Sequence, residues 1–279
     1  MLIRVGYELI FECISPATPM VLMLSVHPER APDLLRPEVM QIEPGVPIAE
    51  FMDPFGNRCA RIIAPQGPLR ISSDMLIRDR GMPEPQPIGV PQTPVQDLPH
   101  DVLPYLMSSR YCEIDRLSQI AWDLFGHAAP GWERVAAISE WVHRNVKFGY
   151  RFARVNKTAV DVYTERTGVC RDYMHLAITF CRAMNIPARY ATGYLGEIGV
   201  PETTEPDDFS AFFEVYLGGK WWPVDARYNV PRIGRVLMAR GRDATDVALT
   251  TSFGVTRLMK FKVWTDEVKD ESPAQPIAA

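Results

Sequence analysis

Cys170 is the residue whose type and setting point most directly to chemistry. Gly168-Val169-Cys170-Arg171-Asp172 reads as a glycine-led turn that delivers a cysteine to the start of a helix. Positions 174, 177, 178 and 181 continue at helical spacing as an apolar stripe. Backbone amides at a helix N-terminus favour negative charge, so a cysteine there tends toward the thiolate. A thiolate so placed is the nucleophile of a cysteine hydrolase or acyl-transferase. The competing reading is a free cysteine buried as a small hydrophobe. This segment alone leaves both open.

A nucleophile needs a base and something to orient it. Residues 210–217 (Ser-Ala-Phe-Phe-Glu-Val-Tyr-Leu) and 220–225 (Lys-Trp-Trp-Pro-Val-Asp) flank Gly218-Gly219, the signature of a two-residue hairpin loop. With that loop, Leu217 faces Lys220, Phe212 faces Asp225 and Ser210 faces Arg227. Side chains two apart share a face, so Ser210, Phe212 and Asp225 lie on one side. A base at position 210 could then be oriented by the carboxylate at 225, with Cys170 as nucleophile.

The elements that would position these residues fall into two regions. Residues 1–81 alternate and carry turn punctuation such as Asp53-Pro54-Phe55-Gly56-Asn57, which predicts short strands and a small sandwich. Residues 82–99 are proline-dense and predict an extended connector. From residue 100 the pattern is helical, with expected helices over 101–106, 113–124, 132–146 and from Cys170 to near Met184-Asn185. Ile186 to Tyr194 reads as a strand. Met259, Phe261 and Val263 alternate with Lys260 and Lys262 as an antiparallel strand with one wet face. The domains expected are 1–81, a linker over 82–99, a second domain over 100–268 and a loose tail over 269–279.

Bulk properties narrow the function classes. The chain has 279 residues, 47% of them hydrophobic and 23% charged, with a net charge of -4. That balance argues against nucleic acid or an anionic membrane as partner. No apolar run reaches the roughly 18 residues of a spanning helix, and the N-terminus lacks the pattern of a signal peptide. Five cysteines, Cys13, Cys59, Cys112, Cys170 and Cys181, are odd in number and show no C-x-x-C pair. Neither a disulfide framework nor a zinc site is indicated, and no acidic loop has EF-hand spacing. A cytoplasmic protein without metal or cofactor is expected.

Taken in order, Gly168 to Leu176, Ile186 to Tyr194, Asp208 to Val215 and Trp221 to Asp225 resemble the transglutaminase-like superfamily, relatives of papain-type cysteine enzymes. That pattern is G-x-C-x-D-x-x-x-L, I-P-A-R-Y-x-x-G-Y, D-x-H-A-W-x-E-V and W-x-x-x-D. The segment from Asp225 to Ala244 resembles one bacterial subgroup that also has a β-rich N-terminal region. The resemblance covers nearly the whole chain. It implies an α+β protein: a β-sandwich-like N-terminal domain, then a papain-like domain whose Cys170 helix packs on an antiparallel sheet. It implies Cys170 as nucleophile, Asp225 as orienting carboxylate, and a peptide or protein amide as substrate. It also implies a base histidine where this chain has Ser210, and serine cannot accept a proton near neutral pH as imidazole can. Two functions follow: thioester chemistry on Cys170 with an altered base, or a binding or scaffold protein that has lost turnover.

The other candidates have bland readings. His175 falls about 140° around the helix from Cys170, so a hydrogen-bonded structural role is expected. His143 has no assigned direction. His27, His100 and His127 have no local partner that suggests catalysis. Asp172 is expected to serve the helix dipole. Glu214 is a site-lining residue or a partner of an arginine such as Arg189 or Arg227. Trp221, Trp222, Phe212 and Phe213 read as packing, and Cys181 as inert core. Arg232, Arg235, Arg240 and Arg242 are spread among apolar residues and predict no groove-sized patch.

Overall fold

A computed structural model describes residues 1–201 and 208–268. The strands are β1 (Leu2–Leu22), β2 (Gln41–Glu43), β3 (Ala49–Met52), β4 (Arg58–Arg78), β5 (Lys147–Phe148), β6 (Thr167–Gly168), β7 (Ala188–Tyr194), β8 (Phe209–Leu217), β9 (Lys220–Val224), β10 (Val236–Gly241), β11 (Thr250–Ser252) and β12 (Thr256–Val268). The helices are α1 (Ile114–Phe125), α2 (Trp132–Asn145), α3 (Ala159–Glu165) and α4 (Cys170–Ala183). The expected tail over 269–279 lies outside the described residues.

The N-terminal region is strand-rich, but its strands are longer than the turn signals suggest. β1 and β4 run 21 residues each and pair antiparallel along most of that length. Ile3, Val5, Tyr7, Leu9, Phe11 and Cys13 are buried while Arg4, Glu8 and Glu12 are not, the alternation of a sheet with one face on a core. Pro16, Pro65 and Pro68 cluster where the register shifts between Cys13 and Ala17. The prolines therefore mark an irregularity inside a long hairpin rather than strand ends.

The six-stranded sheet runs β11-β1-β4-β2, with β12 also on β1 and β3 also on β4. β11 and β12, late in the chain, thus pair into the first sheet. Chain separation is no barrier to this pairing, because Leu2 to Cys13 offers β12 a free edge opposite β4. Residues 256–262 of β12 are not buried on either face, against the single wet face expected.

The second sheet runs β10-β7-β8-β9, all antiparallel. Leu217 pairs with Lys220, and Gly218 and Gly219 both take positive φ (57° and 81°), as a two-residue hairpin loop demands. Ala211, Phe213, Val215 and Leu217 of β8 join α4 in one core. α4 is buried from Asp172 to Ala183, with α1, α2 and α3 around it. α3 escaped the periodicity reading, although Thr158 and Asp161 form a capping box that marks its start.

The two sheets share a second core. Tyr194, Phe209, Val236 and Met238 from the β7, β8 and β10 ends pack with Ile3, Tyr7, Leu9 and their neighbours. The proline-rich segment is tied down across this body: Glu84 N–H donates to Arg232 O at 2.9 Å, and the Gln92 amide to Met184 O at 3.1 Å.

Candidate active site

Gly168 lets the turn before α4 close. A Cβ on Gly168 would stand 2.6 Å from Asp172 Cβ and 2.9 Å from its Oδ2. That close approach brings Asp172 back to accept the Val169 N–H at 2.9 Å, which caps the helix one residue before Cys170. Arg171 reaches Asp172 Oδ1 at 3.3 Å and the Arg154 carbonyl at 2.7 Å. Asp172 is a structural residue in this arrangement.

Cys170 is partly buried at the first position of α4. The neighbouring backbone amides of Ala211 and Arg171 favour the thiolate, as does the Arg227 charge. Asp208 acts against it. Burial outweighs these, so the thiol is pushed above its ordinary value. The helix start pulls the thiol toward the thiolate as expected, but desolvation wins.

Ser210 lies on β8 opposite Gly193 of β7, beside the Ala211 amide that favours the thiolate. Its side chain is buried, and Oγ has no hydrogen-bond partner among the described residues. Asp225 follows β9 and is fully engaged. Oδ1 accepts the amides of Arg227 (3.0 Å) and Tyr228 (3.1 Å), and Oδ2 accepts Arg235 Nη2 at 2.9 Å. Arg235 also donates Nε to Glu84 at 2.6 Å and lies 4.4 Å over the Phe212 ring. The carboxylate that would orient an imidazole instead holds a guanidinium.

Three of the histidines are committed elsewhere. His175 Nε2 accepts the Ala244 amide at 3.1 Å, its ring stacks on Tyr111, and burial drives it down to about 3. His143 Nδ1–H donates to the Arg227 carbonyl at 2.7 Å. His27 Nδ1 accepts the Glu29 amide at 3.2 Å, and burial lowers its basicity. His100 and His127 are exposed. Glu214 pairs with Arg189 (2.6 Å) and Arg240 (2.8 Å), so the ion-pair reading is the one realised. Cys181 is buried and its thiol is pushed far up by desolvation.

Sequence reasoning missed three participants. Asp208 immediately precedes β8; burial raises its carboxyl above the usual range, against the Phe209 amide, the Tyr150 hydroxyl and the Arg227 charge. Glu84 comes from the proline-rich segment, which had read as mere connector. Arg235 is one of the four arginines whose spacing predicts no patch. Arg232, Arg235 and Arg240 instead line one cavity with Arg30, a correction to that reading, while Arg242 pairs with Asp246. β10 and the loop before it bring residues of one sequence stretch to the same wall. Among the described residues, no group of three His, Cys, Asp or Glu side chains could hold a metal, and no helix is long and apolar enough to cross a membrane.

This geometry can be set beside known proteins. A model of the transglutaminase-like superfamily matches residues 118–226. A solved structure named "a Putative Cysteine Protease from Cytophaga hutchinsonii" is 31% identical, with a TM-score of 0.84 over 98% of this chain and 92% of that one. The curated Uncharacterized protein ML0607 of Mycobacterium leprae (strain TN) is 31% identical over 118 residues. That match spans 41% of this chain and 42% of the relative, less than half of either. A helix-borne cysteine packed on an antiparallel sheet is the arrangement of a papain-like fold. The chain belongs to the transglutaminase-like superfamily.

Proposed function

We propose that the chain is a cysteine enzyme acting on peptide or protein amides through a thioester on Cys170, as protease, deamidase or acyl-transferase. The observation that carries this reading is the position of Cys170 at the first residue of α4, packed against β8, where the neighbouring Ala211 and Arg171 amides favour its thiolate. Asp208 takes the base role in the absence of a histidine at 210. Its burial-raised carboxyl makes it a better proton acceptor than an ordinary carboxylate. The Cys170 S–H proton passes to the Asp208 carboxylate, and the thiolate attacks the amide carbon. Asp208 returns the proton to the departing amine. Water or an amine then cleaves the thioester, losing its proton to Asp208, and the regenerated thiolate recovers it. Ser210 offers its buried hydroxyl to orient the attacking group, and Asp225 fixes the wall through Arg235. No cofactor or metal has a part in this scheme. Five free cysteines fit a reducing compartment, and the cytoplasm is the proposed location.

A second reading, a transglutaminase-like binding protein without turnover, is favoured by one observation: burial leaves the Cys170 thiol raised, with Arg235 on Asp225. Alkylation of Cys170 by iodoacetamide, followed by mass spectrometry across pH 5.5–9.5, separates the two. The enzyme reading predicts a rate faster than a free thiol below neutral pH and a loss of about tenfold or more in Asp208→Asn. A wild-type rate that tracks a free thiol, unchanged in Asp208→Asn, establishes the second reading.

A further inference from the structure

A cavity of about 720 Å³ opens along the seam between the first sheet and the β7–β10 sheet. Its walls carry Arg30, Arg78, Arg80, Arg232, Arg235 and Arg240, in a chain whose net charge is -4. The carboxylates on the same walls are already engaged. Glu29 and Glu214 hold Arg240, Asp33 and Asp79 hold Arg30, and Glu84 holds Arg235. The guanidinium groups of Arg78, Arg80 and Arg232 have no carboxylate partner among the described residues, although the Arg232 backbone N–H donates to Glu84 at 3.3 Å.

Arg232 is the more telling of these because it is only 2% exposed. Its Nη2 donates to Gly196 O at 2.8 Å and its guanidinium lies 4.3 Å over the Tyr228 ring. Its Nε and Nη1 have no acceptor among the described residues, nor has Nη1 of Arg235. A buried guanidinium with spare donors is costly unless an anion balances it, and carboxylates meet such forks in pairs of hydrogen bonds. Arg78 and Arg80 stand exposed at the rim, where they can draw an anion in.

The cavity lies on the β8 face opposite the one that packs on α4, and the same strand leads on to the amide beside the thiol. Phe212 and Glu214 of β8 line it. Ser210 continues that strand face two residues along, beside the Ala211 amide that favours the Cys170 thiolate. We propose that this cavity binds the carboxylate side chains of a short acidic peptide and sets a neighbouring amide before Cys170. The placement before Cys170 rests on the function proposed above, while the binding does not. A volume of this size holds a few side chains. The arginines alternate with acids on a concave wall instead of forming the continuous exposed stripe that a nucleic-acid backbone needs.

Binding is measured on the full chain carrying Cys170→Ser, in which no thioester can form, by fluorescence anisotropy of labelled hexaglutamate. Hexaglutamate should bind at least tenfold tighter than a Gln-Ser peptide of equal length, and more weakly as salt rises. Arg78→Glu/Arg80→Glu and Arg232→Met should each lose at least tenfold, with folding checked by circular dichroism. The rim pair keeps the test alive if Arg232→Met does not fold. In the wild-type chain, saturating hexaglutamate should slow Cys170 alkylation and the Gln-Ser peptide should not. Equal affinity for both peptides, unchanged affinity in the rim variant, or tighter binding of an oligothymidylate overturns the site. Binding without protection of Cys170 overturns its placement. Because binding is read without the thiol, a chain that binds hexaglutamate but fails the Asp208→Asn test overturns only the function proposed above.

Discussion

Arg235 Nη2 donates to Asp225 Oδ2 at 2.9 Å, and both side chains are almost sealed from solvent, at 5% and 2% exposure. The same guanidinium grips Glu84, so one cation ties the proline-rich segment to the end of the β8–β9 hairpin. In a thiol–imidazole–carboxylate relay the carboxylate holds the imidazole in its working tautomer. Here two backbone amides and a permanent cation occupy that carboxylate. In the function proposed above, serine at 210 and arginine at 235 are two halves of one altered site.

Arg235→Met should be among the more damaging single changes. It leaves Asp225 buried with its amide donors but no cation, and releases Glu84 as well. Breaking a buried pair from one side costs on the order of 3–5 kcal/mol. Adding Asp225→Asn removes the stranded charge, so the double variant should be less destabilised than the sum of the singles. Urea unfolding of the four proteins gives the coupling directly. Additive losses would show that Arg235 acts through Phe212 and Glu84 instead.

Restoring histidine at 210 should not by itself restore a fast thiol. In Ser210→His, Asp225 is still saturated, and the Arg235 charge opposes an imidazolium nearby. Cys170 alkylation at pH 6.5 should rise by only about twofold. Ser210→His combined with Arg235→Met frees Asp225 and should react about tenfold faster than Ser210→His alone. If Ser210→His alone reaches the rate of the double variant, Asp225 is not limiting and Arg235 is a packing residue.

His175 makes stability depend on pH in a defined window. Its folded-state basicity falls to about 3, driven first by burial, from an ordinary 6.5. Between those values the unfolded chain binds a proton that the folded chain refuses. Stability is therefore full above about pH 6.5 and is lost as pH falls toward 3, at a slope approaching about 1.4 kcal/mol per pH unit for one proton. Urea midpoints from pH 4.5 to 7 should show this slope in wild type and a flatter one in His175→Gln. Equal slopes would assign the pH dependence to other groups.

How much of this was legible in the sequence depends on the range of the interaction. The α4 start, the Gly218-Gly219 loop and the Leu217–Lys220 register follow from local periodicity and turn chemistry, and they placed Cys170, Ser210 and Asp225 on their elements. What stayed hidden is long-range. Glu84 and Arg235 lie 151 positions apart, and no local pattern announces their bond. β12 joins β1 across nearly the full chain for the same reason. The direction of the Cys170 shift was hidden too, because a helix start is visible in sequence and the desolvation opposing it is not.

Gly168→Ala tests whether the turn before Cys170 tunes the thiol. The added methyl would lie within 3 Å of Asp172 Cβ and Oδ2, closer than real side chains tolerate. Asp172 must move, and the cap on Val169 N–H weakens with it. Overpacking of this kind costs about 1–3 kcal/mol, and loss of a cap about 1 kcal/mol. The chemical consequence has the opposite sign. Burial holds the Cys170 thiol up, so a loosened turn that admits water should lower it and speed alkylation near neutral pH. Urea unfolding and Cys170 alkylation measured on one preparation would show the two effects together. A loss of stability with no gain in alkylation rate would mean that the cap supports α4 without governing the solvation of its cysteine.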